Sequence, residues 1–203
     1  MWTNPSEPAK PQAVAVKHTR RALLRGALVA GLVAGSGAHL SAQDVWPSLT
    51  RGTVVLFRHA LAPGGGDPAG FKLNDCATQR NLSADGRAQA LRIGDAFQRH
   101  GVEVSTVWTS QWCRTRDTAD LAFPAKRVDQ PLFNSFFETP EQGPAQTRAA
   151  LDLLATWRGQ GVLVVVTHQV NITALTGVNP NSGEGVVIAL KGRDLKVLGR
   201  ITP

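Results

Sequence analysis

Three short runs in this chain are apolar or β-branched from end to end: "TVVLF" (53–57), "VSTVWTS" (104–110) and "VLVVVT" (162–167). A strand with one face in water alternates polar and apolar residues, whereas a strand that does not alternate is covered on both faces. Parallel strands need long crossovers, and the crossover helices supply those covering layers. The expectation is an α/β fold, a three-layer sandwich with a mostly parallel central sheet and helices on both faces.

The intervening segments carry the spacing such helices need. Ser83 can cap a helix running to about His100, with Ala90, Ile93, Gly94 and Phe97 along one face. A second helix is expected from Cys113 or Arg114 to Leu121, stopping before Pro124. Ala150, Leu153, Leu154 and Trp157 repeat the spacing, with Gly159 and Gly161 ending that helix. "GVVIAL" (185–190) and "LKVLGRI" (195–201), separated by Lys191-Gly192-Arg193-Asp194, read as a hairpin. No repeat or linker interrupts residues 43–203, so one domain is expected there.

Residues 1–42 read differently. Thr19-Arg20-Arg21-Ala22-Leu23-Leu24-Arg25 is a twin-arginine pattern, and the Gly/Ala-rich run "GALVAGLVAGSGAHLSAQ" after it carries no charge. That run is too short and glycine-rich for a membrane span and has no polar face. It suits the apolar region of an export signal cleaved near Ala38 or Ala42, with an uncleaved anchor as the alternative. A periplasmic or otherwise exported protein without a stable membrane span is expected. Cleavage after Ala42 lowers Lys+Arg from 22 to 17 and Asp+Glu from 15 to 14, so the net charge falls from +7 to +3. A residual of that size does not call for a nucleic-acid partner and is compatible with an anionic small substrate.

Ligands of open α/β sheets bind at the carboxyl ends of the strands. Arg58-His59 follow the first run, Gln111-Trp112-Cys113 lead from the second into Arg114, and His168 follows the third. Two of the three histidines beyond residue 42 (His59, His100 and His168) therefore hold equivalent places. Gly64-Gly65-Gly66 lacks the Lys-Ser/Thr of a P-loop and reads as a loop near the mouth. Cys76 and Cys113 have no zinc-site spacing, and no metal-ligand cluster is evident.

Taken in order, Arg58-His59, "RNLSADGRAQA" (80–90), "SQWCRTRDTA" (110–119) and Thr167-His168 resemble the histidine phosphatase superfamily, or phosphoglycerate mutase-like family. The resemblance spans roughly residues 53–190. Arg58-His59 alone is a weak signal; the four blocks in order are a strong one. The resemblance implies a phosphoglycerate mutase-like fold and a phosphomonoesterase with no metal or other cofactor. It makes His59 the nucleophile that becomes phosphorylated, with Arg58, Arg114 and His168 binding the phosphate and stabilising its transfer. Arginine suits that task because its planar fork donates parallel hydrogen bonds and keeps its charge. The attacking imidazole nitrogen must be unprotonated, which requires the other to be held as a donor, by a backbone carbonyl. Arg80 stands as a further substrate arginine or a supporting one. Arg116 is expected to point away into solvent, Arg87 to lie on the surface, Thr109 and Ser110 to be structural, and His100 to cap a helix end facing water.

The family pattern breaks at the general acid. Asn134 falls near the place where mutase-like members carry a glutamate, and Gln169 stands where the phytase-like branch has an aspartate. Glu138 and Glu141 are the nearest substitutes. Glu138 is preferred because Phe136-Phe137 could raise its pKa, ahead of Asp67 and Asp75. Residues 119–161 leave no room for a large lid, so a shallow, open site is expected. It would take a phosphorylated small molecule or a glycolipid, with lipopolysaccharide core phosphates as a class suggested by the resemblance. The alternatives are a mutase-like phosphotransferase, whose cytosolic substrates fit poorly with export, and a catalytically silent phosphate-binding protein. If Arg80 and Arg114 both line the site, Cys76 and Cys113 are neighbours and can form a disulfide in an oxidising compartment. Two unbridged thiols are the other reading.

Overall fold

The computed structural model describes residues 44–203; the leader expected over 1–42 lies outside the described residues. The strands are β1 (Val54–Arg58), β2 (Val104–Thr109), β3 (Arg127–Asp129), β4 (Val162–Thr167), β5 (Gly185–Lys191) and β6 (Asp194–Ile201). They form one sheet in the order β3-β2-β4-β1-β5-β6. The first four are mutually parallel, and β5 and β6 add the antiparallel hairpin. Helices α1 (Ala84–Arg99), α2 (Cys113–Ala122), α3 (Gly143–Ala155) and α4 (Gln169–Thr176) complete the fold.

The absence of alternation in the apolar runs is explained by their two neighbours. Along β1, Val55 and Phe57 pack with Ile93 and Phe97 of α1 and Ala119 and Ala122 of α2. Val54 and Leu56 pack on the other side with Ala150 and Leu154 of α3 and Ile172 of α4. Both faces are covered, so every position from Val54 to Phe57 excludes water and contributes burial energy. α1 and α2 lie close enough that a Cβ on Gly94 would stand 2.3 Å from the Ala122 carbonyl oxygen. Only glycine fits at that crossing.

Boundaries follow the local chemistry. The Ser83 hydroxyl accepts from the Gly86 N–H and starts α1, and the His100 N–H closes its last turn. His100 also stacks flat on Trp46, with ring centroids 4.1 Å apart, so it does more than face water. α3 stops at Ala155, before the expected end, because the Thr156 N–H turns back onto the last carbonyls. Trp157 lies beyond the helix with its ring edge-on to Trp108, and Gly159 and Gly161 play no part in the cap. Among the described residues no helix is long and apolar enough to cross a membrane.

Register positions the chemistry. Arg58 pairs with Thr167 across β1 and β4, and Thr109 of β2 pairs with Val166 of β4. The residues that follow, His59, His168 and Ser110, therefore emerge together at one edge of the sheet.

Candidate active site

A cavity of about 300 Å³ opens at that edge, lined by Arg58, His59, Asp67, Arg80, Arg114 and His168 among others. His59, Arg114 and His168 are only 3%, 3% and 4% exposed. The site is thus a pocket rather than the shallow surface expected, because the loop through Gly64–Asp67 and the segment Ser135–Thr139 wall it in.

His59 is held at both ends. Its backbone N–H donates to the Thr167 carbonyl (2.9 Å), and the next N–H, of Ala60, donates to the Thr118 hydroxyl (3.0 Å). The ring Nδ1 stands 2.8 Å from the Ala60 carbonyl oxygen. A carbonyl can only accept, so Nδ1 carries the proton and Nε2 keeps its lone pair. Burial pushes the His59 pKa down to about 3, helped by the Arg114, Arg80 and Arg58 cations and opposed by the Ala60 hydrogen bond. The ring is neutral at any ordinary pH.

His168 sits 5.6 Å from His59 between ring centroids. Its Nε2 lies 2.8 Å from the Ser110 hydroxyl and its Nδ1 3.5 Å from Nη2 of Arg114. Arginine has no acceptor, so Nδ1 is unprotonated and Nε2–H donates to Ser110. Burial first, then the nearby His59 and the arginines, push its pKa well down. Ser110, read from sequence as structural, is the hydroxyl that orients this imidazole; its contact spans 58 residues, and only its place at a strand end hinted at it.

Arg58 donates through Nη1 to the Pro180 carbonyl (3.1 Å). Arg80 bonds through Nε to the Gly66 carbonyl (2.7 Å) and through Nη1 to the Ala62 carbonyl, so it ties down the glycine-rich loop while lining the pocket. Arg114 spends its fork on Asp67, at 2.7 Å (Nη1 to Oδ1) and 3.0 Å (Nη2 to Oδ2). Trp112 Nε1 adds 2.9 Å to Oδ2 and the Arg80 N–H 3.2 Å to Oδ1. Nε of both Arg58 and Arg114 is buried without a partner. Arg58, Arg80 and Arg114 line the pocket around the one buried carboxylate, Asp67, so its charge is positive on balance and suits an anion.

The preferred acid does not fit its expected surroundings. Phe136 turns inward against Gly143, with a ring carbon 3.0 Å from where a Cβ would sit. Phe137 is 59% exposed. Glu138 stays exposed on the rim, unenclosed by either ring. Glu141 is exposed in the turn before α3, and Asp75 is exposed, accepting from the Ala77 N–H. Asn134 and Gln111 lock together by two 2.9 Å hydrogen bonds. Arg116 points away from the pocket, but it pairs with Asp129, which Arg127 shares, instead of standing in solvent. Arg87 pairs at the surface with Asp117.

Cys76 and Cys113 form a disulfide with Cα atoms 5.7 Å apart. Gln79 Oε1 accepts from the Cys113 N–H at 2.9 Å. Bridge and hydrogen bond together fasten the Arg80 loop to the first turn of α2, which carries Arg114.

The neutral histidines have a consequence for stability. An unfolded His59 binds a proton near pH 6.5, the folded one only near 3, so between these values the unfolded chain holds more protons. The stability contribution is complete above pH 6.5 and is lost as pH falls toward 3; His168 acts in the same direction. The melting temperature should fall steadily through that window, and His59→Gln should flatten the fall. A melting temperature constant across it would contradict the buried, neutral assignment.

A family model described as histidine phosphatase superfamily (branch 1) matches residues 54–133, the span holding Arg58, His59 and Arg114. No curated protein sequence matches the chain. Among solved structures, the product of open reading frame Rv3214 from Mycobacterium tuberculosis superposes with a TM-score of 0.54 at 15% identity, covering 71% of this chain and 94% of that one. A phosphohistidine phosphatase SixA from Agrobacterium tumefaciens gives 0.54 at 18%, covering 75% and 99%. A phosphoglycerate mutase from Thermus thermophilus gives 0.53 at 17%, covering 74% and 99%. At these identities the likeness is one of fold, and it is the phosphoglycerate mutase-like fold. The matched segment begins on the strand that ends in Arg58-His59 and runs past α2 and Arg114, so over residues 54–133 the chain matches the histidine phosphatase superfamily.

Proposed function

We propose that the protein is an exported phosphomonoesterase of the histidine acid phosphatase type, independent of metal, that works through a phosphohistidine at His59. The observation that carries this reading is the imidazole itself. Its Nδ1–H is fixed on Ala60, and its unprotonated Nε2 belongs to a pocket shared with Arg58, Arg114 and His168. Nucleophilic attack by nitrogen on phosphorus needs a neutral ring, and the charge on the transferring phosphoryl group needs fixed cations around it. The low His59 pKa keeps the nucleophile available in acid. Water then hydrolyses the phosphohistidine. The twin-arginine leader supports export, and export favours a phosphorylated small molecule or glycolipid, lipopolysaccharide core phosphates among them.

The test is turnover of p-nitrophenyl phosphate and a panel of sugar phosphates by the protein lacking residues 1–42. Activity should survive EDTA and be inhibited by vanadate, whose trigonal-bipyramidal form resembles the transferring group. Loss in EDTA, restored by a divalent ion, contradicts metal independence. Phosphate bound without turnover points to the silent binding protein, and transfer within a phosphorylated sugar acid to the mutase.

A further inference from the structure

A phosphate ester with an ordinary alcohol as leaving group needs a proton on the departing oxygen. Two carboxyl side chains line the pocket, Asp67 and Glu138. Glu138 is on the exposed rim. Asp67 is inside, its side chain 6% exposed, against the fork of Arg114.

That contact has a chemical consequence. Burial alone would raise the Asp67 pKa, but hydrogen bonds and charge from Arg114, with Trp112 and the Arg80 N–H, hold it below the usual value. The carboxylate thus occupies the outer nitrogens of the guanidinium that a substrate phosphate would engage. When the phosphate takes that fork, Asp67 loses its counter-charge and gains an anionic neighbour. Both changes favour the protonated carboxyl. Arg80 anchors the loop at the Gly66 and Ala62 carbonyls, so the displacement is a rotation of the Asp67 side chain rather than a movement of the loop.

We propose that Asp67 is the general acid of this site, freed for proton donation when the substrate phosphate displaces it from Arg114. The proposal rests on the phosphomonoesterase reading above. Once displaced, Asp67 takes a proton from solvent; in the first step the His59 Nε2–phosphorus bond forms as the ester P–O bond breaks, and that proton passes to the leaving oxygen, giving the alcohol and the carboxylate. In the second step water attacks phosphorus as the P–N bond breaks, and a proton of that water passes to Asp67. Inorganic phosphate leaves, and the carboxylate returns to Arg114 when the proton is released to solvent.

The experiment compares monophosphate esters whose leaving groups run from p-nitrophenol to simple alcohols. Wild-type kcat/KM should depend only shallowly on leaving-group pKa. Asp67→Asn should lose about 10²–10⁴-fold on the alkyl ester, yet less than about tenfold on p-nitrophenyl phosphate, whose phenolate leaves without a proton. Equal losses on both esters would mean that Asp67 only positions Arg114. Gains on both would mean that it only blocks the site. The selective loss appearing in Glu138→Gln instead would move the role to Glu138. Should the Asp67 variant not fold, a steep dependence in the wild type overturns the proposal by itself. A wild type that turns over no ester defeats the phosphomonoesterase reading instead.

Discussion

His59→Ala is expected to lose turnover and phosphoenzyme formation together, by on the order of 10⁴–10⁶-fold as for removal of other catalytic nucleophiles, while the fold persists. The side chain makes a single hydrogen bond, to the carbonyl of the next residue, so little else depends on it. The His59 N–H bond to β4 and the Ala60 N–H bond to α2 survive truncation. The measurement is a trap of radiolabelled substrate: wild type should give an acid-labile, base-stable phosphoprotein, and the variant none. Because the variant also lacks a buried neutral imidazole, it should melt less sensitively to acid than the wild type. A variant that keeps full activity removes His59 from the reaction and leaves the pocket a binding site.

The covered, mostly parallel sheet, though not its strand order, could be read from residues whose surroundings are dictated by the strand itself. Val54 to Phe57 show no alternation because both faces are packed, and that holds whatever the loops do. β3 escaped notice because its three residues, Arg127–Asp129, are polar at both ends and lie at the sheet edge. α4 escaped because "QVNITALT" is short and rich in β-branched residues, weak helix formers. Its place is set by packing Ile172 against the sheet. The same division runs through the pocket. His59, His168 and Arg114 come together because strand ends are adjacent in register. Asp67 and Ser110 reach the site through contacts 47 and 58 residues apart. Asp67 depends on a loop path, which no periodicity encodes, whereas Ser110 emerges with the histidines at the strand ends and only its partner was illegible.

Arg114 and Arg116, two positions apart on α2, provide the sharpest test of how that helix is oriented. A separation of two residues turns side chains to different faces. Arg114 lines the pocket, while Arg116 reaches Asp129 on β3. Arg114→Ala should lower kcat by roughly 10²–10³-fold, the usual cost of one donor to a charged transition state. Arg116→Ala should stay close to wild type, since its partly exposed pair contributes about 0–1 kcal/mol to stability. Arg114→Lys should recover little, because a point charge replaces the fork. One confounding effect is built into the site: removing Arg114 strands the buried Asp67 carboxylate, at a cost of about 3–5 kcal/mol. The double variant Arg114→Ala/Asp67→Asn, assayed on p-nitrophenyl phosphate, whose leaving group needs no proton from Asp67, separates the two effects. It should regain much of the melting temperature without regaining turnover, because the stranded charge is gone and the phosphate donor is still missing. If activity returned along with stability, Arg114 would be a structural partner of Asp67 and the phosphate would be held by Arg58 and His168 alone. Equal losses at Arg114 and Arg116 would place the wrong face of α2 against the pocket.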